Sequence, residues 1–107
     1  MVEKKLNTEC DFELADGQVV KLTLTFYKLL QLKNKDKKLY DRYNKITTEM
    51  QKNFEEVNIV ICLYVAYVCA NMGEDDLLTE DEFIMLCGSD RVAASEAYAQ
   101  LTNPKKR

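Results

Sequence analysis

The sequence predicts an α+β fold, mainly α, with an N-terminal β-hairpin packed on a bundle of about five helices. Apolar residues alternate with polar ones on both sides of Asp16-Gly17, and beyond Thr25 they recur at helical spacings of three and four. Strand signals come first and helix signals follow without alternating with them, which separates this class from a parallel α/β sheet.

The hairpin spans Cys10 to Thr25. Phe12 and Leu14 precede Ala15-Asp16-Gly17, and Val20, Leu22 and Leu24 follow it, so one face is apolar and has to lie on something apolar. Thr25 is placed to cap a short first helix with Phe26, Leu29 and Leu30 on one face, ending near Asn34. Asp36 is placed to cap a second helix whose stripe is Leu39, Tyr40, Tyr43 and Ile46; the polar stretch Thr47 to Asn53 reads as a turn or as more helix. Asn53-Phe54-Glu55-Glu56 has the form of an N-cap before a helix apolar on nearly every side, from Val57 to Met72, stopped by Gly73. Such a helix belongs at the centre of the molecule. Its uninterrupted apolar run, the twelve residues Ile59 to Ala70, falls short of the about 20 that cross a bilayer. Thr79-Glu80-Asp81-Glu82 is a capping box opening a short helix with Phe83, Ile84 and Leu86, ended by Gly88. Ser89 or Asp90 caps the last helix, with Val92, Ala93, Ala97, Tyr98 and Leu101 inward and Pro104 as its stop.

A chain of 107 residues, 47% apolar and 31% charged, has the size and composition of one globular domain. No repeat or Pro/Gly-rich linker divides it, so the expectation is a single domain over 1–107, with 1–9 an N-terminal extension and 102–107 a flexible basic tail. Cys10, Cys62, Cys69 and Cys87 form no Cys-x-x-Cys pair, and two of them lie in the most apolar segment, as buried free thiols of a reducing compartment do. The first ten residues lack the apolar stretch of a secretory signal and carry acids that a transit peptide avoids, which points to the cytoplasm.

The residues that usually carry chemistry are missing. With no histidine, the commonest general base and any Cys/His zinc site are excluded. Gly17, Gly73 and Gly88 are each accounted for by a turn or a helix end, which leaves no phosphate-cradling loop. Asn71 to Glu82 approaches a calcium-binding loop, but Gly73 stands where a side-chain oxygen is required and Asp76 where glycine is. The helix pair around Gly88 has a helix-turn-helix outline, yet its candidate recognition helix, Arg91 to Leu101, carries a single basic residue. The expectation is a protein that is not an enzyme, takes no cofactor and acts by holding other protein chains, with nucleic-acid binding through the Lys28 to Lys52 region as a third reading behind protein binding.

Charge distribution suggests where. The net charge is only -3, but Lys28 to Lys52 holds eight basic residues against three acidic ones, while Asn71 to Asp90 holds seven acidic and no basic. Such asymmetry can steer a partner or orient self-association. Six tyrosines add large contacts with polar tips, and two of them lie in the basic helix. The candidate partner-binding residues are therefore Lys37, Lys38, Tyr40, Arg42 and Tyr43, with homo-oligomers expected where this face meets the acidic Glu74 to Asp76 of a second copy.

A hairpin running directly into a helix through Lys21-Leu22-Thr23-Leu24-Thr25-Phe26-Tyr27-Lys28-Leu29-Leu30, a central apolar helix from Asn58 to Asn71, then Leu78-Thr79-Glu80-Asp81-Glu82-Phe83 and a closing helix form a pattern. From Phe12 to Leu101 it resembles the tail assembly chaperones of long-tailed bacteriophages and prophages. The resemblance is one of pattern and length, without signature residues, and it implies binding of the tape-measure protein or the tail-tube protein in the bacterial host cytoplasm. The extension Met1 to Glu9 and the strongly basic second helix depart from it. A small regulatory or adaptor protein of a mobile element is the alternative compatible with the same residues.

The resemblance also implies a second, longer product made by ribosomal frameshifting, as many tail-chaperone genes have. Pro104 ends the last helix, and Lys105-Lys106 can be encoded by a run of adenines on which such a shift occurs. The expected gene carries an A-rich heptamer at these codons and an overlapping frame beyond them. Reading the DNA checks this: lysine codons broken by guanines, with no overlapping frame, would remove the frameshift.

Overall fold

The computed structural model describes residues 9–102 as a two-stranded antiparallel hairpin followed by five helices, the α+β, mainly α architecture expected. The strands are β1 (Glu9–Glu13) and β2 (Val19–Thr23); the helices are α1 (Phe26–Lys35), α2 (Lys37–Lys52), α3 (Glu56–Ala70), α4 (Glu80–Cys87) and α5 (Arg91–Thr102). Two boundaries differ by one residue from expectation: Glu9 pairs with Thr23 inside the sheet, and Thr102 closes α5. The rest of the expected N-terminal extension and basic tail lies outside the described residues.

The strands pair in register from Glu9 opposite Thr23 to Glu13 opposite Val19, which sends Cys10, Phe12 and Leu22 to one face. These three are buried, together with Leu14 and Leu24 beyond the strand ends. At the turn, Gly17 adopts φ 92, the left-handed region open to glycine at no steric cost. Asp16 accepts the Gln18 N–H at 3.0 Å, and that bond holds its carboxyl below the ordinary value. Ala15 N–H donates to the Leu86 carbonyl at 2.6 Å, so the turn is tied to the end of α4.

Helix α3 is the centre. It is apolar on nearly every side, and it packs against β2 and all four other helices. Ile59, Cys62, Leu63, Val65, Ala66, Tyr67 and Cys69 are buried along its whole length. Helix starts are capped as expected at Thr25, whose Oγ1 accepts the Lys28 N–H, at Asp36, which accepts the Leu39 N–H, and at Thr79, where the capping box with Glu82 is complete. Asp90, not Ser89, caps α5 by accepting the Ala93 N–H at 3.0 Å.

Three expectations are corrected. Asn53 does not cap α3: the polar stretch after Thr47 stays helical, Asn53 ends α2 with its N–H donating to the Glu49 carbonyl, and Glu55 begins α3 without a side-chain cap. On α5, Ala94, Ala97 and Leu101 form the buried line while Val92 is exposed, because small alanines let this helix lie close to α3. On α1 the inward line is Leu29 and Leu32, and Phe26 and Leu30 face solvent.

Leu63, wholly inaccessible at the middle of α3, is the residue on which the core closes. Leu63→Ala should cost about 2 to 5 kcal/mol, read from denaturant unfolding. A loss under about 0.5 kcal/mol would place it among surface positions.

Candidate functional site

The roll of α1 decides what the molecule presents. Leu24 is buried at the end of the hairpin and Thr25 caps the helix at once, so α1 has no linker in which to turn. Leu32 is buried and Leu29 half buried, and the Lys28 carbonyl lies 4.0 Å from the Cys69 thiol of α3. At 3.6 residues per turn, Leu30 sits about 200° around the helix from Leu32 and must point outward. Phe26 is 91% exposed, Tyr27 66% and Leu30 56%, all within the first five residues of one helix. Isolated exposed apolar residues are ordinary, whereas a contiguous group of them marks an interaction surface.

Beside this group runs a groove of about 330 Å³, lined by Leu24, Thr25, Phe26, Leu29, Tyr43, Leu101 and Thr102. Its walls come from the hairpin exit, α1, α2 and the end of α5, and its lining is largely apolar. Tyr43 reaches it from α2, half buried, and burial pushes its phenol well above the ordinary range, so the ring is a neutral contact surface.

The structure therefore separates the five sequence candidates. Tyr43 joins the groove, and Tyr40 is half buried with the Lys33 ammonium 5.8 Å from its ring centre. Lys37, Lys38 and Arg42 are exposed, but two are already paired: Lys37 with Asp41 one turn along, at 2.9 Å, and Arg42 with Glu80 of α4. The Asp41 partner raises the Lys37 ammonium above its ordinary value. Exposed pairs of this kind contribute little to stability, about 0 to 1 kcal/mol, so they leave the lysines available to an incoming acidic group. Phe26, Tyr27 and Leu30 were missed as contact residues because their spacing is that of an inward stripe; only the buried position of Leu32 reveals the roll.

Tyr64, Tyr67 and Phe83 are structural. Tyr64 O–H donates to the Leu78 carbonyl at 3.2 Å, and Leu78 N–H donates to the Tyr67 hydroxyl at 2.9 Å. Two tyrosines of α3 thus pin the segment leading into α4, and the Tyr67 ring stacks on buried Phe83 with centroids 5.2 Å apart. Among the described residues no group of His, Cys, Asp and Glu could hold a metal ion, and no helix is long and apolar enough to cross a membrane. Comparison with protein-family models, with curated proteins and with solved structures finds no match.

All four cysteines are free, and burial pushes Cys62 up to about 12 and both Cys69 and Cys87 up to about 11, from an ordinary 9.0. Well below pH 9 these thiols are protonated whether the chain is folded or not, and their contribution to stability is constant. Above it the unfolded chain releases protons that the folded chain retains, so stability should fall as pH rises from about 9 toward 12. Unfolding at stepped pH checks this, and a Cys62→Ala, Cys69→Ala, Cys87→Ala variant should show a shallower fall. A thiol reagent at pH 8 should label the native protein far more slowly than the unfolded one.

Proposed function

We propose that this protein is a tail assembly chaperone that holds the tape-measure protein, the tail-tube protein or both during assembly of a phage tail. The observation that carries the reading is the uncovered apolar face of α1 and its groove, where Phe26, Tyr27 and Leu30 group within five positions while the other exposed large apolar residues, Val19, Phe54, Val57, Met85 and Val92, are spread along the chain. A chaperone of this kind needs a surface that offers apolar contact without demanding one sequence. Phe26, Tyr27 and Leu30 supply that contact, Tyr43 floors the groove, and the lysines of α1 and α2 add attraction for acidic flanks of the partner. The pattern resemblance supplies the identity of the partner; the exposed face supplies the means of holding it.

The test is co-expression of the chain with the tube protein and with the very long reading frame expected downstream of its gene. The tagged chain should capture at least one of them in soluble form. Phe26→Ala should cost about 2 kcal/mol or more of binding, roughly thirtyfold in Kd, as central aromatic anchors do. Capture unchanged by Phe26→Asp combined with Leu30→Asp would sink the proposed surface. No capture of either protein, with no tail genes alongside, would favour the adaptor of a mobile element instead.

A further inference from the structure

At the opposite end of α5 lies a second concavity, a cleft of about 220 Å³ between the first turns of α3 and α5. Val57, Ile59, Val60 and Ala94 supply its apolar lining. Its mouth carries the Glu56–Arg91 ion pair at 3.4 Å, with Asp90 alongside and Glu55 at the start of α3. A buried apolar cavity of about 150 Å³ accepts a benzene ring, so this cleft has room for a phenyl side chain. The molecule also displays a phenyl side chain with nothing to enter, Phe26, on a helix that carries Lys28, Lys33 and Lys35 and no acid.

We propose that a second copy of the chain occupies this cleft, inserting Phe26 between Val57 and Ala94 while the lysines of its α1 approach Glu55, Glu56 and Asp90. Shape and charge agree: a projecting ring meets a ring-sized apolar cleft, and a helix with three lysines meets a rim with three acids and one arginine. The two surfaces are different parts of the molecule, the groove side lying by Leu101 at the end of α5 and the cleft by Arg91 at its start. Twelve helical residues place those ends about 18 Å apart. Such a contact is heterologous: a pair of copies leaves one ring and one cleft unfilled, so copies add head to tail into a ring or a chain. If the chaperone reading holds, the contact also covers the apolar face of α1 in the empty protein, and a partner chain would compete with it.

The experiment uses the purified protein alone, with mass measured by light scattering across a concentration series and at low and high salt. Expected are species larger than a dimer at high concentration that shrink as salt rises. Phe26→Asp removes the ring and Val57→Asp spoils the cleft; each should be monomeric. Both positions are largely exposed, 91% and 69%, so the variants should keep the native circular dichroism and melting temperature. Mixed in equal amounts, the two variants should form a dimer and nothing larger, because the intact ring of one meets the intact cleft of the other. Should either substitution unfold the chain, Phe26→Ser and Ser95→Arg, the latter at an exposed position lining the cleft, provide the same pair.

A strictly monomeric native protein overturns the proposal. So does a mixture that stays monomeric, the mark of a twofold contact, or an assembly lost on replacing Lys37 and Lys38 but kept by Phe26→Asp. No partner is present in these measurements, so their failure leaves the chaperone reading standing. Failure to capture tape-measure or tube protein would likewise leave the self-contact intact.

Discussion

A helix that is apolar on every side cannot rest on one neighbour. Helix α3 has no polar stripe to turn toward water, so its stability depends on being enclosed, and each remaining element supplies part of the enclosure. The hairpin covers it through β2, and α1, α2, α4 and α5 each pack against it. The few polar groups drawn into this shell are satisfied: no buried side-chain nitrogen or oxygen among the described residues lacks a partner. Tyr64 and Tyr67 illustrate how, each giving its ring to the core and its hydroxyl to the backbone of Leu78.

Enclosing one helix does not use every large apolar residue, and those left outside on α1 are grouped. The segment leading from β2 to α1 contains Leu22, Leu24, Phe26, Leu29, Leu30 and Leu32, more apolar residues than one face of α3 can accept. The chain assigns Leu22, Leu24 and Leu32 to the core and leaves Phe26 and Leu30 outside. A residue exposed by such a choice is placed by the packing of its neighbours, so its position is as well defined as theirs.

The class, the order of elements and most caps were legible in the sequence because they rest on local rules. Alternation around Asp16-Gly17, the capping box at Thr79 and the all-apolar α3 each have one physical reading. What was not legible was rotation. An amphipathic pattern with several apolar lines, as on α1 and α5, can be rolled more than one way, and only the neighbour decides. On α5 the decision goes to Ala94 and Ala97, whose small side chains allow close approach, over the larger Val92. The candidate site was legible in part for the same reason: Tyr43 was found from its residue type and helix, whereas Phe26 was grouped on one face with Leu29. The charge asymmetry was real in the sequence, but part of it is spent inside the fold, where Arg42 of the basic helix already meets Glu80 of the acidic one.

The packing of β1 against α5 has a consequence for synthesis. A growing chain emerges N-terminus first, so α3 appears when β2, α1 and α2 exist to cover it and α4 and α5 do not. For that interval the most apolar segment of the protein has an open side, and the hairpin lacks both the α4 carbonyl that receives its turn and the helix against which its first strand lies. The enclosure of α3 and the support of β1 both require α5, so until that helix has emerged the central helix has an open side.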